Sequence, residues 1–153
     1  MAAWGYGLLG PVEVRVDGRA LPLPGARQRL LLAVLLVNAN RMVPAVRLID
    51  ELWGADLPAD PRGALRTQVA RLRRALGPAG RDLATLEGGY RLTVPRGGLD
   101  VCRFEDALAE AARADGEPAL RLLDEAVGLC RGPALGELAD RPFALATAAR
   151  LEE

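Results

Sequence analysis

The segment from Ala26 to Asn38 constrains this chain more than any other, because after Arg29 it is almost wholly apolar over the length of a helix. A helix that is apolar all round has to be covered on every side, so the flanking segments must wrap it. Ahead of it, Trp4 to Leu9 reads as a strand. Pro11-Val-Glu-Val-Arg-Val16 alternates apolar and charged residues with the period of a half-buried strand. Asp17-Gly18 is a hairpin signal, and Arg19 to Leu23 a short return strand, with Pro22 marking an edge.

After it, Arg41-Met42-Val43 is a short extended link, and Pro44 opens a second helix that stops at Gly54. Val46, Ile49 and Trp53 share one face of that helix, with Leu48 and Leu52 beside them. Gly54 to Ala59 is a loop, and Asp60-Pro61 then caps and opens a third helix that ends at Gly77-Pro78. Leu83 to Leu86 and Tyr90 to Val94 form a hairpin about Glu87-Gly88-Gly89. Pro95 to Gly98 is a linker. Beyond it, Val101 to Ala114 and Pro118 to Leu129 read as an antiparallel helix pair, and a last helix starts at Phe143 and runs to the end, cut short or frayed. The expected fold is α+β: an N-terminal antiparallel sheet and a winged helix over residues 1–97, then an all-α, repeat-like segment over 98–153.

Charge divides the chain at the same place. Residues 1–97 carry fourteen arginines and eight acids (14 − 8 = +6), and residues 98–153 six arginines and twelve acids (6 − 12 = −6). The basic part suits a polyanion and the acidic part does not. Half of the 153 residues are hydrophobic, enough for a sizeable core. The longest apolar run, Leu30 to Val37, has eight residues, too few to span a bilayer. The first residues lack the basic and apolar regions of a secretory signal, so a cytoplasmic protein is expected.

Absences exclude chemistry. The sequence has no histidine, serine or lysine, which rules out a Ser-His-Asp triad, a histidine base and a lysine Schiff base. Cys102 and Cys130, far apart and without histidine, do not make a usual zinc site, and are expected as unpaired core thiols. Paired carboxylates need a cleft, and aromatic residues to line one are scarce. No metal, no cofactor and no enzymatic activity are expected. Gly5-Tyr-Gly7-Leu-Leu-Gly10 matches a dinucleotide fingerprint letter for letter, but a strand follows it rather than a helix. These glycines are expected to serve tight turns and close strand packing.

The chemistry lies in helix 60–77. Leu65, Val69, Leu72 and Leu76 fall on one stripe at about 100° per residue. The opposite side carries Gly63, Thr67, Ala70, Arg71 and Arg74, flanked by Arg66 and Gln68. That face is slim at Gly63 and Ala70. It offers arginine for guanine edges, glutamine for adenine edges and a threonine methyl for thymine, as a helix entering a major groove requires. The competing account is a solvated basic face. Context favours DNA: a buried helix, a helix pair with a basic second member and a glycine-tipped hairpin occur in winged-helix order. Arg27, Arg29 and Arg91 are weaker phosphate candidates, and for Arg91 an ordinary surface arginine competes equally.

The sequence resembles the SARP family of antibiotic-pathway regulators, whose DNA-binding domain is the winged helix of OmpR-type response regulators. The resemblance is carried by Leu8-Leu-Gly-Pro-Val-Glu-Val14, Gly25-Ala-Arg-Gln-Arg-Leu-Leu-Leu-Ala33, Arg47-Leu-Ile-Asp-Glu-Leu-Trp-Gly54, Leu65 to Leu76, and Gly89-Tyr-Arg-Leu92. Leu99-Asp-Val-Cys-Arg-Phe-Glu105 and Cys130-Arg-Gly-Pro-Ala-Leu135 resemble the start of that family's bacterial transcriptional activation domain. Val46 and Glu87, the latter at the wing tip, depart from the pattern. The resemblance implies sequence-specific binding of double-stranded promoter DNA and activation of transcription. Protomers would sit head to tail on direct repeats, and RNA polymerase would be contacted partly through the Gly54 to Ala59 loop. The alternative is an interaction module whose winged helix no longer binds DNA; its third helix would lack an arginine face.

Overall fold

The computed structural model describes residues 4–145 and 147, apart from Pro24. The apolar helix is at the centre. Helix α1, Ala26–Val37, buries Gln28 and every residue from Leu30 to Leu36. Asn38 closes it, with its Nδ2 donating to the Val34 carbonyl at 2.8 Å.

Two three-stranded antiparallel sheets flank α1. The first has the order β1 (Trp4–Gly7), β2 (Glu13–Val16), β3 (Arg19–Ala20), with Tyr6 opposite Val14. The second has the order β4 (Val43–Pro44), β6 (Gly89–Leu92), β5 (Leu83–Leu86), with Val43 opposite Tyr90 and Leu83 opposite Leu92. Helices α2 (Ala45–Trp53) and α3 (Pro61–Leu76) pack on α1 and on each other, and α1 and α2 both meet strand β6. Asn40, in the left-handed region at φ 67°, ties the hairpin to the end of α1: its Nδ2 donates to the Val94 carbonyl at 3.0 Å and its Oδ1 accepts from Val94 N at 2.9 Å. Helices α4 (Asp100–Arg113) and α5 (Glu117–Gly128) follow as an antiparallel pair.

Four expectations change. Pro44 ends β4, and α2 begins one residue later. Val46 is 67% exposed, and the buried residues of α2 are Ala45, Leu48 and Leu52. Val46 faces outward because the helix turns its Leu48 side to the core. Both cysteines are free, but Cys130 is exposed just past the end of α5, so it is not a core thiol. Phe143 and Ala144 are buried turn residues rather than the start of a helix, and most of the helix expected to follow lies outside the described residues.

The acidic C-terminal half is built into the same core as the basic half. Leu135, Leu138, Phe143 and Ala144 belong to one hydrophobic cluster with α1, both sheets, α2 and α3. The backbone beyond β1 is satisfied almost wholly from across the junction. The Asp100 carboxylate accepts from Leu8 N at 2.8 Å and Leu9 N at 2.9 Å. In return, Leu135 N donates to the Leu8 carbonyl and Arg131 N to the Leu9 carbonyl, each at 2.8 Å. Burial pushes the Asp100 carboxyl up, while these N–H donors and the nearby Arg131 guanidinium pull it down.

The glycines of the fingerprint-like stretch belong to this junction. A Cβ on Gly7 would lie 2.6 Å from Arg131 Nη2, and one on Gly10, at φ 144°, 3.0 Å from Arg131 Cβ. The bare backbone lets Arg131 lie flat across it and reach Glu13 at 3.3 Å and Asp100 at 3.9 Å. A bend and then β2 follow Gly10, so no helix N-terminus is present to receive a pyrophosphate.

Two variants test this junction. Asp100→Asn keeps the shape but sets an amide N–H against a backbone N–H, and should destabilise the chain by about 1–3 kcal/mol in urea unfolding. Tyr6 is buried with no hydrogen-bond partner for its hydroxyl among the described residues, and burial, helped by Asp82, pushes its pKa up to about 12. Below about pH 10 the phenol is protonated in both states; between about 10 and 12 only the unfolded chain ionises, so stability falls as pH rises through that window. Unfolding curves at about pH 9 and about pH 11.5 should differ less for Tyr6→Phe than for the parent, by about 2 kcal/mol.

Candidate nucleic-acid interface

Helix α3 forms where its ends are chemically defined. Asp60 precedes it and its Oδ1 accepts from Gly63 N at 3.1 Å; Pro61 takes the first position; Gly77 stops it at φ 59°. Leu65, Val69, Leu72 and Leu76 are at most 1% exposed. On the reverse side Arg66, Thr67, Ala70, Arg71 and Arg74 are exposed together. Among the described residues none of these arginines makes an ion pair, so their charge is uncompensated.

Details of that face differ from the expectation. Gly63 is not bare for the sake of a base: a Cβ there would collide with the Asp60 carboxylate, so the glycine makes room for the cap. The Thr67 hydroxyl donates to the Gly63 carbonyl at 3.1 Å, which leaves its methyl as the group it has to offer a ligand. Gln68 is half-buried at the flank, lining a groove with the first turn of α1. Arg62, exposed one turn before Arg66, belongs to the same basic helix surface; its i, i−4 spacing was the available signal.

Arg73 behaves unlike its neighbours. Its Nε and Nη2 donate to the Leu83 carbonyl at 2.9 and 2.7 Å, and Nη2 also donates to Thr85 Oγ1 at 2.7 Å. It fastens α3 to β5 of the hairpin. The hairpin is itself held: Gly88, at φ 81° in its tip, accepts from Ala45 N at 2.9 Å, and a Cβ on Gly89 would collide with the Val43 carbonyl.

The three weaker candidates separate. Arg27 lies over the Trp53 ring, 5.5 Å from its centroid, and lines the groove shared with Gln68 and Arg71. Arg29 is not brought to this face: its Nη1 donates to the Leu23 carbonyl at 2.9 Å and its Nε lies 3.5 Å from Glu137, so it braces the junction with the C-terminal half. Arg91 is half-buried on β6 opposite Ala84, away from that groove.

Residues 19–92 match the family described as transcriptional regulatory protein, C terminal, and residues 99–153 match the bacterial transcriptional activator domain. The chain belongs to the SARP-type family of transcriptional regulators. As a SARP-type chain it is similar to the transcriptional regulatory protein EmbR of Mycobacterium tuberculosis, 39% identical over an alignment of 153 positions that covers 92% of this chain and 39% of that protein. It is 38% identical to the regulatory protein AfsR of Streptomyces coelicolor over 97% of this chain and 15% of AfsR, and 33% identical to the regulator RedD of the same organism over 95% of this chain and 44% of RedD. The solved structure of EmbR from M. tuberculosis in complex with a low affinity phosphopeptide superposes with a TM-score of 0.86 at 35% identity, covering 99% of this chain and 42% of that one. The chain thus spans less than half the length of these relatives. They are transcriptional regulators, a non-enzymatic class, and the winged-helix architecture is the one EmbR shares.

The internal bonds of Arg73 and the free state of Arg71 make a direct comparison. Arg73→Ala should lower stability by about 1 kcal/mol in urea unfolding, through loss of charge-assisted bonds to Leu83 and Thr85. Arg71→Ala should leave the unfolding curve where it is.

Proposed function

We propose that this SARP-type chain binds double-stranded promoter DNA in a sequence-specific manner and activates transcription. The observation that carries this reading is the outward face of α3: Arg66, Arg71 and Arg74, exposed and unpaired, stand directly behind a fully buried leucine-valine stripe. A helix so mounted presents one rigid edge to a major groove, which is wide enough to admit it. In this reading Arg66, Thr67, Gln68, Arg71 and Arg74 meet bases and phosphates, and Arg27 meets a phosphate beside them. Residues 1–97 form the DNA-binding unit and 98–153 the first part of the activation domain.

The family resemblance supports the finer parts. Protomers bind direct repeats head to tail. RNA polymerase is contacted partly through the Gly54 to Ala59 loop, where Leu57 is 56% exposed. The genes controlled are those of antibiotic biosynthesis, and the protein works in the cytoplasm.

The deciding experiment is a salt titration of duplex binding. With about four to six phosphate contacts per protomer, the log–log slope of affinity against salt should be roughly −4 to −5. A flat response between low and physiological salt would falsify DNA binding. At fixed salt, Arg71→Ala should weaken operator binding by about 1–3 kcal/mol, the worth of one good base-reading pair. Relaxed specificity at one position would assign Arg71 to a base, and uniform weakening to a phosphate. Arg73→Ala, folded by circular dichroism, should bind almost as the parent does; an equal or larger loss would mean that the base-contact set lies elsewhere on the helix.

A further inference from the structure

The groove beside α3 collects positive charge from three parts of the chain that are far apart in sequence. It has a volume of about 430 Å³ and is lined by the first turn of α1, including Arg27 and Gln28, by Gln68 and Arg71 of α3, and by Arg141 from the turn after residue 138. No acid lines it. Gathering like charges is unfavourable unless an anion joins them. Among the described residues neither Arg71 nor Arg141 has an ion-pair partner within 4.0 Å, and Arg27 is held in place by its stacking over Trp53.

The helix end points the same way. Helix α1 has 12 residues, is preceded by Gly25 with no side-chain cap, and has no acid in its first turn. Among the described residues no side chain therefore compensates its first N–H groups or the positive end of its dipole. Gln28 is only 8% exposed, lines the groove, and among the described residues has no hydrogen-bond partner for its Oε1.

We infer that this groove seats one DNA backbone phosphate, and that Arg141, from the acidic C-terminal half, is one of its ligands. The inference rests on the DNA-binding reading of α3. A helix with its side chains is about 10–12 Å across and fills a major groove about 12 Å wide, so the structure immediately beside it meets a phosphate ridge. Arg71 belongs both to the exposed face of α3 and to the groove wall, which puts that ridge at the groove. On the other side of Arg27 and Arg141 lie Asp50, Glu51 and Asp56, which compete for the same cations. The DNA-facing surface is then composite, drawing a cation from each half of the chain.

The test uses the full chain, a short random-sequence duplex, and Arg141→Ala, Arg141→Lys and Arg113→Ala, the last an exposed arginine of α4 outside the groove. Arg141→Ala should weaken duplex binding about threefold to tenfold and make the salt slope shallower by about 0.9, the signature of one lost phosphate contact. Arg141→Lys should keep most of the slope, and Arg113→Ala all of it. Parent-like binding by Arg141→Ala, or an equal loss in Arg113→Ala, would overturn the inference while leaving the role of α3 intact. No salt-dependent binding by the parent chain would overturn both. Stabilisation of the parent, but not of Arg141→Ala, by inorganic phosphate, with duplex affinity unchanged between them, would make the groove a seat for a free anion and overturn the DNA assignment.

Discussion

The rest of the structure depends on covering α1. Leu30 to Leu36 are all at most 3% exposed, on every side of one helix. Complete burial of a leucine or valine side chain is worth about 1.5–3 kcal/mol, so this helix concentrates a large part of the folding energy in two turns. A single sheet or helix pair covers only one side of such a cylinder. The N-terminal sheet, α2 and α3, the hairpin and the segment around Leu135 and Phe143 all contribute to the one cluster that encloses it. The outward mounting of α3 follows from that demand, since its leucine-valine stripe has to face inward.

Coverage by the C-terminal half needs a polar joint, because the backbone after β1 leaves its sheet at Leu8 and Leu9. Asp100, Arg131 and Leu135 supply the donors and acceptors that strand partners supply elsewhere. Arg131 sits between two carboxylates with its side chain 24% exposed, over glycines that leave it space. A buried charge without such partners would be strongly unfavourable, so the joint is an all-or-none unit. It also couples the two charge-opposed halves: the half that carries net negative charge cannot swing away without uncovering Leu8, Leu9 and part of α1.

The arginines sort by what they touch rather than by where they fall in sequence. Arg71, Arg73 and Arg74 are near neighbours, yet Arg73 spends its donors on Leu83 and Thr85 while the other two are unpaired. Arg27 and Arg29 are two residues apart, and only Arg27 reaches the side of α3. On a helix two residues is about 200°, enough to send one guanidinium to a ligand face and the other to an internal carbonyl.

Local periodicity and end signals determined most of the secondary structure. The alternation of Val12, Val14 and Val16, the stripe of α3, the Asp60-Pro61 start and the Gly54 and Gly77 stops are short-range codes, and each element lies within a few residues of where they put it. The inward and outward sides of α3 were legible for the same reason: a fixed rotation per residue turns a list of residues into a face. Tertiary structure alone decided what meets across the chain. That Asp100 serves Leu8 and Leu9, that Gly7 and Gly10 leave room for Arg131, that Gly63 leaves room for Asp60's carboxylate, that Cys130 is outside the core, and that Arg141 comes to stand beside Arg71 depend on contacts between residues up to 124 apart or on side-chain paths that no repeat encodes. Periodicity carries information over a turn of helix or a pair of strand residues, whereas those contacts are set by how the covers close over α1.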